Sequence, residues 1–201
     1  MGMVEEKSLG TFVDRLAAAR VGATFNQYAT GPRAALLRER LTAYLKSRGG
    51  ARILLVGEAA GYRGARVSGL PFTSERQLTG AGPAEATATI VQGALRDLGA
   101  VDDVLLWNAV PTHPGSAASN RSPTAAEVGA GAPFLEELAQ GRVVIPVGRV
   151  AERACGLPGI RHPARGGAAA FRDGLAERLR SLEGTAIIQR RSVSEAFRLL
   201  Q

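Results

Sequence analysis

Cysteine is almost missing from this chain: Cys155 stands alone in 201 residues. One thiol excludes a disulfide framework, a four-cysteine zinc site and an iron–sulfur cluster held by four thiolates of a single chain. It also fits a reducing compartment. Long apolar runs are lacking as well. None approaches the roughly 20 residues needed to span a bilayer, and Met1 to Leu9 has no apolar core of a signal peptide, so a soluble cytoplasmic protein with no membrane partner is expected. There is no repeat of solenoid or propeller length and no low-complexity segment. Gly57, Gly61 and Gly64 do not make the dinucleotide fingerprint, and no Gly-Lys-Ser/Thr follows for a P-loop. No metal or cofactor is expected.

What the chain has is arginine and glycine. Lys and Arg number 25 against 18 Asp and Glu, a formal charge of +7, with the arginines spread along the sequence. That balance fits a polyanionic partner, and it equally fits a well-solvated arginine-rich surface. The length suits one core of ordinary size, and no composition shift marks a second, so one domain over 1–201 is expected.

The order of elements is that of an α/β fold. Residues from Leu9 to Ala29 mix apolar and charged side chains at helical spacing, and GPRAALLRERLTAYLKSRGG continues the pattern, with Pro32 near a helix start and Gly49-Gly50 past its end. RILLVG is a short continuous apolar run of the kind that forms a strand covered on both faces. A helix over Pro83 to Leu98, the strand-like VLLWN, a helix over Thr124 to Ala139 and the strand-like RVVIPVG follow. A helix from Ala168 to Leu182 and a helical tail, Ser192 to Leu200, close the chain. Alternation of this kind predicts a short central, mostly parallel sheet between helices, a three-layer αβα arrangement.

Open parallel sheets bind ligands beyond the carboxyl ends of their strands. Three loops there are unusual: GEAAGYRGARVSGLPFTSE, NAVPTHPGSAASNRSPT and LPGIRHPARGG. The first is too long for a phosphate-binding turn and carries Tyr62, Phe72, Glu58 and Glu75, residues suited to a flat polar ring; an ordinary crossover with Phe72 plugged into the core fits too. In the second, Asn108 ends a strand, and its amide offers the donor and acceptor needed to read the edge of a pyrimidine; a loop brace is the other reading. Both histidines stand before proline, as His113-Pro114 and His162-Pro163, in extended geometry that aims an imidazole out of its loop.

Together, GEAAG after a strand, Gly69-Leu70-Pro71-Phe72, Asn108-Ala109-Val110-Pro111, Asn120-Arg121-Ser122-Pro123-Thr124 and His162-Pro163-Ala164 resemble the uracil-DNA glycosylase superfamily over about Arg52 to Phe171. The look is nearest to its bacterial and archaeal fourth and fifth families. The resemblance implies a monomeric, nucleoid-associated repair enzyme. It would flip uracil or another deaminated base out of DNA and hydrolyse its N-glycosidic bond to leave an abasic site. It implies a base pocket of Gly57, Ala59, Tyr62, Phe72 and Asn108, with His162 donating to the uracil O2 as charge grows there, and DNA contacts from Arg121 and Arg165.

Three departures bear on that picture. Ala59 stands where the first family has its water-activating aspartate, so the carboxylate must come from elsewhere; Glu75 takes the place matching the fifth family and is preferred here over Glu58. Cys155 cannot hold the cluster usual in the fourth and fifth families. Ala164-Arg165 replaces the serine and proline that usually follow His-Pro, which alters the wedging end of that loop. A catalytically silent DNA-binding relative and an α/β enzyme acting on free nucleosides remain open beside the glycosylase.

Overall fold

The computed structural model describes residues 2–182, with side chains from Leu9 onward. The chain divides into two compact units, residues 1–159 and residues 160–201. The first carries the sheet.

Strands β1 (Ile53–Ala59), β2 (Val104–Val110) and β5 (Val143–Pro146) form a parallel sheet in the order β2-β1-β5. These are the three apolar runs of the sequence, and burial explains their composition: β2 is buried at every position, and β1 from Ile53 to Gly57. The register sets Leu54 beside Leu105, Val56 beside Trp107 and Gly57 beside Asn108. Alternation then divides the faces. Leu54, Val56, Leu105 and Trp107 belong to one core with Phe12, Leu16, Leu37, Leu41, Leu45, Phe134 and Leu138. Phe12 stands edge-on to Trp107 at 5.7 Å and to Phe134 at 5.6 Å. Each such contact contributes about 0.5–1.5 kcal/mol beyond the area it buries. Gly57 and Asn108 point to the opposite face. At the outer edge of β2, the Leu106 N–H donates to Tyr44 Oη at 2.7 Å.

The helices follow the sequence in most places. Helix α2 (Ala34–Ser47) buries Leu37, Leu41 and Leu45, one position per turn, and stops before Gly49-Gly50. Helix α5 (Ala86–Asp97) buries Ala88, Val91, Ala94 and Leu95. Helix α6 (Ala125–Ala139) starts at a capping box in which Thr124 and Glu127 satisfy each other's backbone N–H groups. Helix α7 (Arg149–Cys155) follows β5. In the second unit the chain is helical over 168–182, as its periodicity predicts. The helix expected over Ser192 to Leu200 lies outside the described residues. Among the described residues no helix is long and apolar enough to cross a membrane.

The first helical expectation needs correction. Helix α1 (Gly2–Ala18) ends well before Ala29, and residues 19–33 form a non-helical strap. Asn26 stops the helix: its amide donates to the carbonyls of Leu16 at 2.7 Å and Ala19 at 3.0 Å, groups a continuing helix would have used itself. Gly22, at φ +57, makes the turn and packs so closely on Glu127 that a side chain there would strike it. Two short helices inside the first long loop, α3 (Ala65–Ser68) and α4 (Glu75–Thr79), and a small hairpin of β3 (Gly115–Ser116) and β4 (Ser119–Asn120) were too short to show as periodicity.

Candidate active site

The carboxyl ends of β1 and β2 bring Gly57 and Asn108 side by side. Gly57 is glycine because nothing else fits. A methyl group built on it would overlap the Phe72 ring and lie 2.8 Å from Asn108 Oδ1. Phe72 therefore covers the strand end and touches the corner where the asparagine amide lies. Its ring is 7% exposed and its backbone sits at φ +48, a left-handed conformation rare for a bulky residue. Strain of that kind costs about 1–3 kcal/mol and persists where neighbours enforce it. Here they do. Ser68 Oγ donates to the Thr73 carbonyl at 2.6 Å, Tyr28 Oη to the Gly69 carbonyl at 2.8 Å, and Gln92 Nε2 to the Phe72 carbonyl at 3.3 Å.

Asn108 is 4% exposed, and its side-chain amide has no hydrogen-bond partner among the described residues. A brace or cap would be bonded to backbone, so that reading of Asn108 has no support in the structure. The amide is not sealed from solvent, since its atoms are not among the fully buried side-chain atoms left without a partner, so it is free to meet a ligand.

Glu58, the next residue of β1, is partly buried. Burial raises its carboxyl above the ordinary value, while hydrogen bonding with Ser122 and the charge of Arg153 pull the other way. Ala59 ends the strand opposite Val110. Tyr62 is partly exposed; its backbone N–H donates to Asn120 Oδ1 at 2.9 Å, which ties the first loop to the hairpin.

Glu75 is differently employed. Its Oε1 accepts from Arg33 Nη2 at 2.7 Å and from Arg40 at 3.2 Å, and its Oε2 accepts from Arg40 Nη1 at 2.8 Å. Hydrogen bonding from Arg40, then from Arg33, holds its carboxyl below the usual range despite burial. Both oxygens are occupied by guanidinium groups, the opposite of what a water-activating base requires. Arg33 and Arg40 stand seven positions apart on one side of α2, a spacing that could have revealed an acidic partner.

Arg121 is likewise turned inward. It meets Glu127 through two bonds, Nη1 to Oε2 at 2.8 Å and Nη2 to Oε1 at 2.5 Å, and Glu127 is 2% exposed. That pairing, with the N–H of Thr124, lowers the Glu127 carboxyl to about 2. The arginine expected on DNA thus braces the start of α6. His113 is also a brace: fully buried, with Nδ1 2.7 Å from the Ala60 carbonyl and Nε2 2.7 Å from the Ser116 carbonyl.

His162 belongs to the second unit. Its Nδ1 accepts from the Ala164 N–H at 3.1 Å, which puts the proton of a neutral ring on Nε2 and makes that nitrogen a donor. Burial, and then the charge of Arg161, lower its pKa and favour the neutral ring. Arg165 is exposed at φ +53. Cys155, on α7, has its thiol pushed up to about 11 by burial. A lone thiol in that state does not fit a four-thiolate cluster.

The strap is the part of the site that the sequence reading missed. Phe25 exchanges two backbone hydrogen bonds with His113, at 2.8 and 2.9 Å, Thr24 and Thr112 join hydroxyls at 2.6 Å, and Gln27 Nε2 donates to the Pro111 carbonyl at 2.9 Å. The second loop is thus shaped by residues far upstream. Thr24, Asn26 and Gln27 in ATFNQY, polar residues where an apolar stripe should run, were the available signal.

The sequence matches the family described as the Uracil DNA glycosylase superfamily over residues 46–189. No match was found among curated proteins. Of solved structures, 26 chains match. One is the wild-type SMUG2 of Pedobacter heparinus, with a TM-score of 0.62 and 12% identity, covering 86% of this chain and 98% of that one. At that identity the likeness is one of fold.

Proposed function

Because this chain belongs to the uracil DNA glycosylase superfamily, we propose that it is a monofunctional DNA glycosylase that excises uracil, or a base with a similar edge, from DNA. The observation that carries the reading is the Asn108 amide, without a hydrogen-bond partner among the described residues and gathered with the Phe72 ring around Gly57. A pyrimidine lying on Phe72 would supply what the amide lacks, accepting at O4 and donating at N3. Base and protein would each satisfy the other, and only a base extruded from the stack can do so.

As the glycosidic bond lengthens, negative charge gathers on the departing O2 and positive charge on the sugar. A fixed neutral donor stabilises the first. His162 suits that role, since its Nδ1 is committed to the Ala164 N–H and its Nε2 carries the proton. A carboxylate near the attacking water suits the second, and here the assignment moves from Glu75 to Glu58. Glu75 has both oxygens on Arg33 and Arg40, whereas Glu58 has neither oxygen on an arginine. A pKa raised by burial also makes Glu58 the stronger base of the two once ionised. Tyr62 and Ala59 complete the pocket rim, and Arg165 remains a DNA contact in this reading.

The test is a panel of end-labelled oligonucleotides, each with one deaminated base, incubated with the protein and cleaved with alkali. Strand breaks at uracil are expected, together with no release of uracil from free deoxyuridine. Absence of abasic sites across the panel would leave a silent DNA-binding relative, and cleavage of the free nucleoside would leave a nucleoside hydrolase.

A further inference from the structure

Most arginines of the first unit that have a described partner are spent on carboxylates or carbonyls. Arg15 pairs with Glu137, Arg33 and Arg40 with Glu75, Arg48 with Asp102, Arg52 with Asp103, and Arg121 with Glu127. Two arginines of the loop after β1 are placed otherwise. Arg63 lies over the Tyr62 ring at 5.2 Å, and Arg66 lies over the Phe25 ring at 4.8 Å. Neither meets a carboxylate among the described residues, and the buried Arg66 Nε has no partner there.

The rings beneath them are anchored to the site. Tyr62 is tied by its N–H to Asn120, and Phe25 by two backbone hydrogen bonds to His113. Phe25 is 44% exposed, so its ring lies at the surface with Arg66 over it. A guanidinium stacked on a ring spends its face and keeps its N–H groups in plane, where they match the oxygens of a phosphate. Stacking also removes much of the freedom that an arginine must otherwise lose on binding.

We propose that Arg63 and Arg66 form a phosphate clamp that grips the backbone of the DNA strand carrying the extruded base. The proposal rests on the glycosylase reading, which supplies the polyanion. It replaces Arg121, whose charge is taken by Glu127, as the site's grip in the first unit. Tyr62 and Phe25 act as the clamp's footings, and the clamp positions substrate without touching the reacting atoms.

The experiment measures binding of a labelled uracil-containing duplex between 50 and 200 mM salt, for the parent and for Arg63→Gln, Arg66→Gln, the double variant, Arg66→Lys and Arg96→Gln. Each phosphate contact contributes about 0.9 to the slope of log K against log salt. The single glutamine variants are expected to flatten the slope by about one unit each and the double by about two. Their single-turnover rates at saturating DNA should stay within about twofold of the parent, as for a group that binds ground and transition state alike. Arg66→Lys should keep the slope and weaken binding, because it retains the charge and loses the fork. Arg96, near the far end of α5, is the charge-matched control and should leave the slope unchanged. A double variant with the parental slope and affinity overturns the clamp and leaves the glycosylase standing. A parent whose own titration is flat overturns both.

Discussion

Gly57 and Phe72 touch so closely that a single added carbon on the glycine would overlap the ring. In the proposed base pocket this contact would set the depth, with bare backbone as the floor and a phenylalanine held in a left-handed conformation as the wall. Gly57→Ala should therefore displace the ring instead of merely crowding it. We expect uracil release to fall by at least about tenfold, and stability to fall by about 1–3 kcal/mol, the usual cost of overpacking a buried site. Parental rate and melting temperature in that variant would show that the ring yields freely.

Asn108→Asp tests the edge-reading role directly. A carboxylate keeps the acceptor and loses the donor that uracil O4 requires, so uracil excision should drop. The cytosine edge presents an amino donor where uracil has O4, so cytosine release should become detectable. The measurement is competitive excision from matched oligonucleotides. An unaltered preference for uracil would remove Asn108 from the pocket.

Glu58 and Glu75 should separate cleanly. Glu58→Gln is expected to lower the single-turnover rate by about 10²–10⁴ while leaving the melting temperature near the parent's. Glu75→Gln should do the reverse, because an amide cannot balance Arg33 and Arg40. Leaving two guanidinium groups poorly matched beside a buried position costs stability, and the activity per folded molecule should persist. The opposite pattern would return the base to Glu75.

The pH profile follows from two pKa directions. As the proposed base, Glu58 would have to be ionised to draw a proton from water, and burial raises its pKa. The rate should therefore climb as pH rises through a value above the ordinary 4.5. In its proposed role His162 donates as a neutral ring, which its lowered pKa favours, so no falling limb is expected as the pH passes the ordinary 6.5 of histidine. A rate that declines between about pH 6 and 8 would mean that the imidazolium is the active form. His162→Ala should cost about 10²–10³ at any pH on the plateau, as loss of an oxyanion donor does elsewhere.

How much of this could be read from the sequence depended on the range of the interaction. Strands β1, β2 and β5 and helices α2, α5 and α6 announced themselves because each buries a contiguous or periodic set of its own residues. The Gly57, Phe72 and Asn108 corner was visible as a set of motifs in strand-end loops, since such loops face one crevice. The partners of Glu75 were not. An acidic residue three positions after Phe72 looks the same on paper whether it faces water or two arginines, and its partners lie 35 and 42 positions away. The strap failed for a related reason. Residues 19–33 pair with a loop near His113, and no local pattern records a bridge of that length.

The strap also fixes an order of events in folding. Thr24 and Thr112 are 88 positions apart, and their hydroxyls meet in the finished protein. Closing so long a loop has an entropic cost that must be met before the contacts it creates can return any stability. During synthesis the strap leaves the ribosome long before the segment it binds, so the second loop cannot take its final form until β2 and the hairpin have emerged. The loop beyond β2 therefore cannot be completed before Thr112 and the hairpin have emerged, and a nascent chain stopped short of Thr112 would hold a strap without its partner.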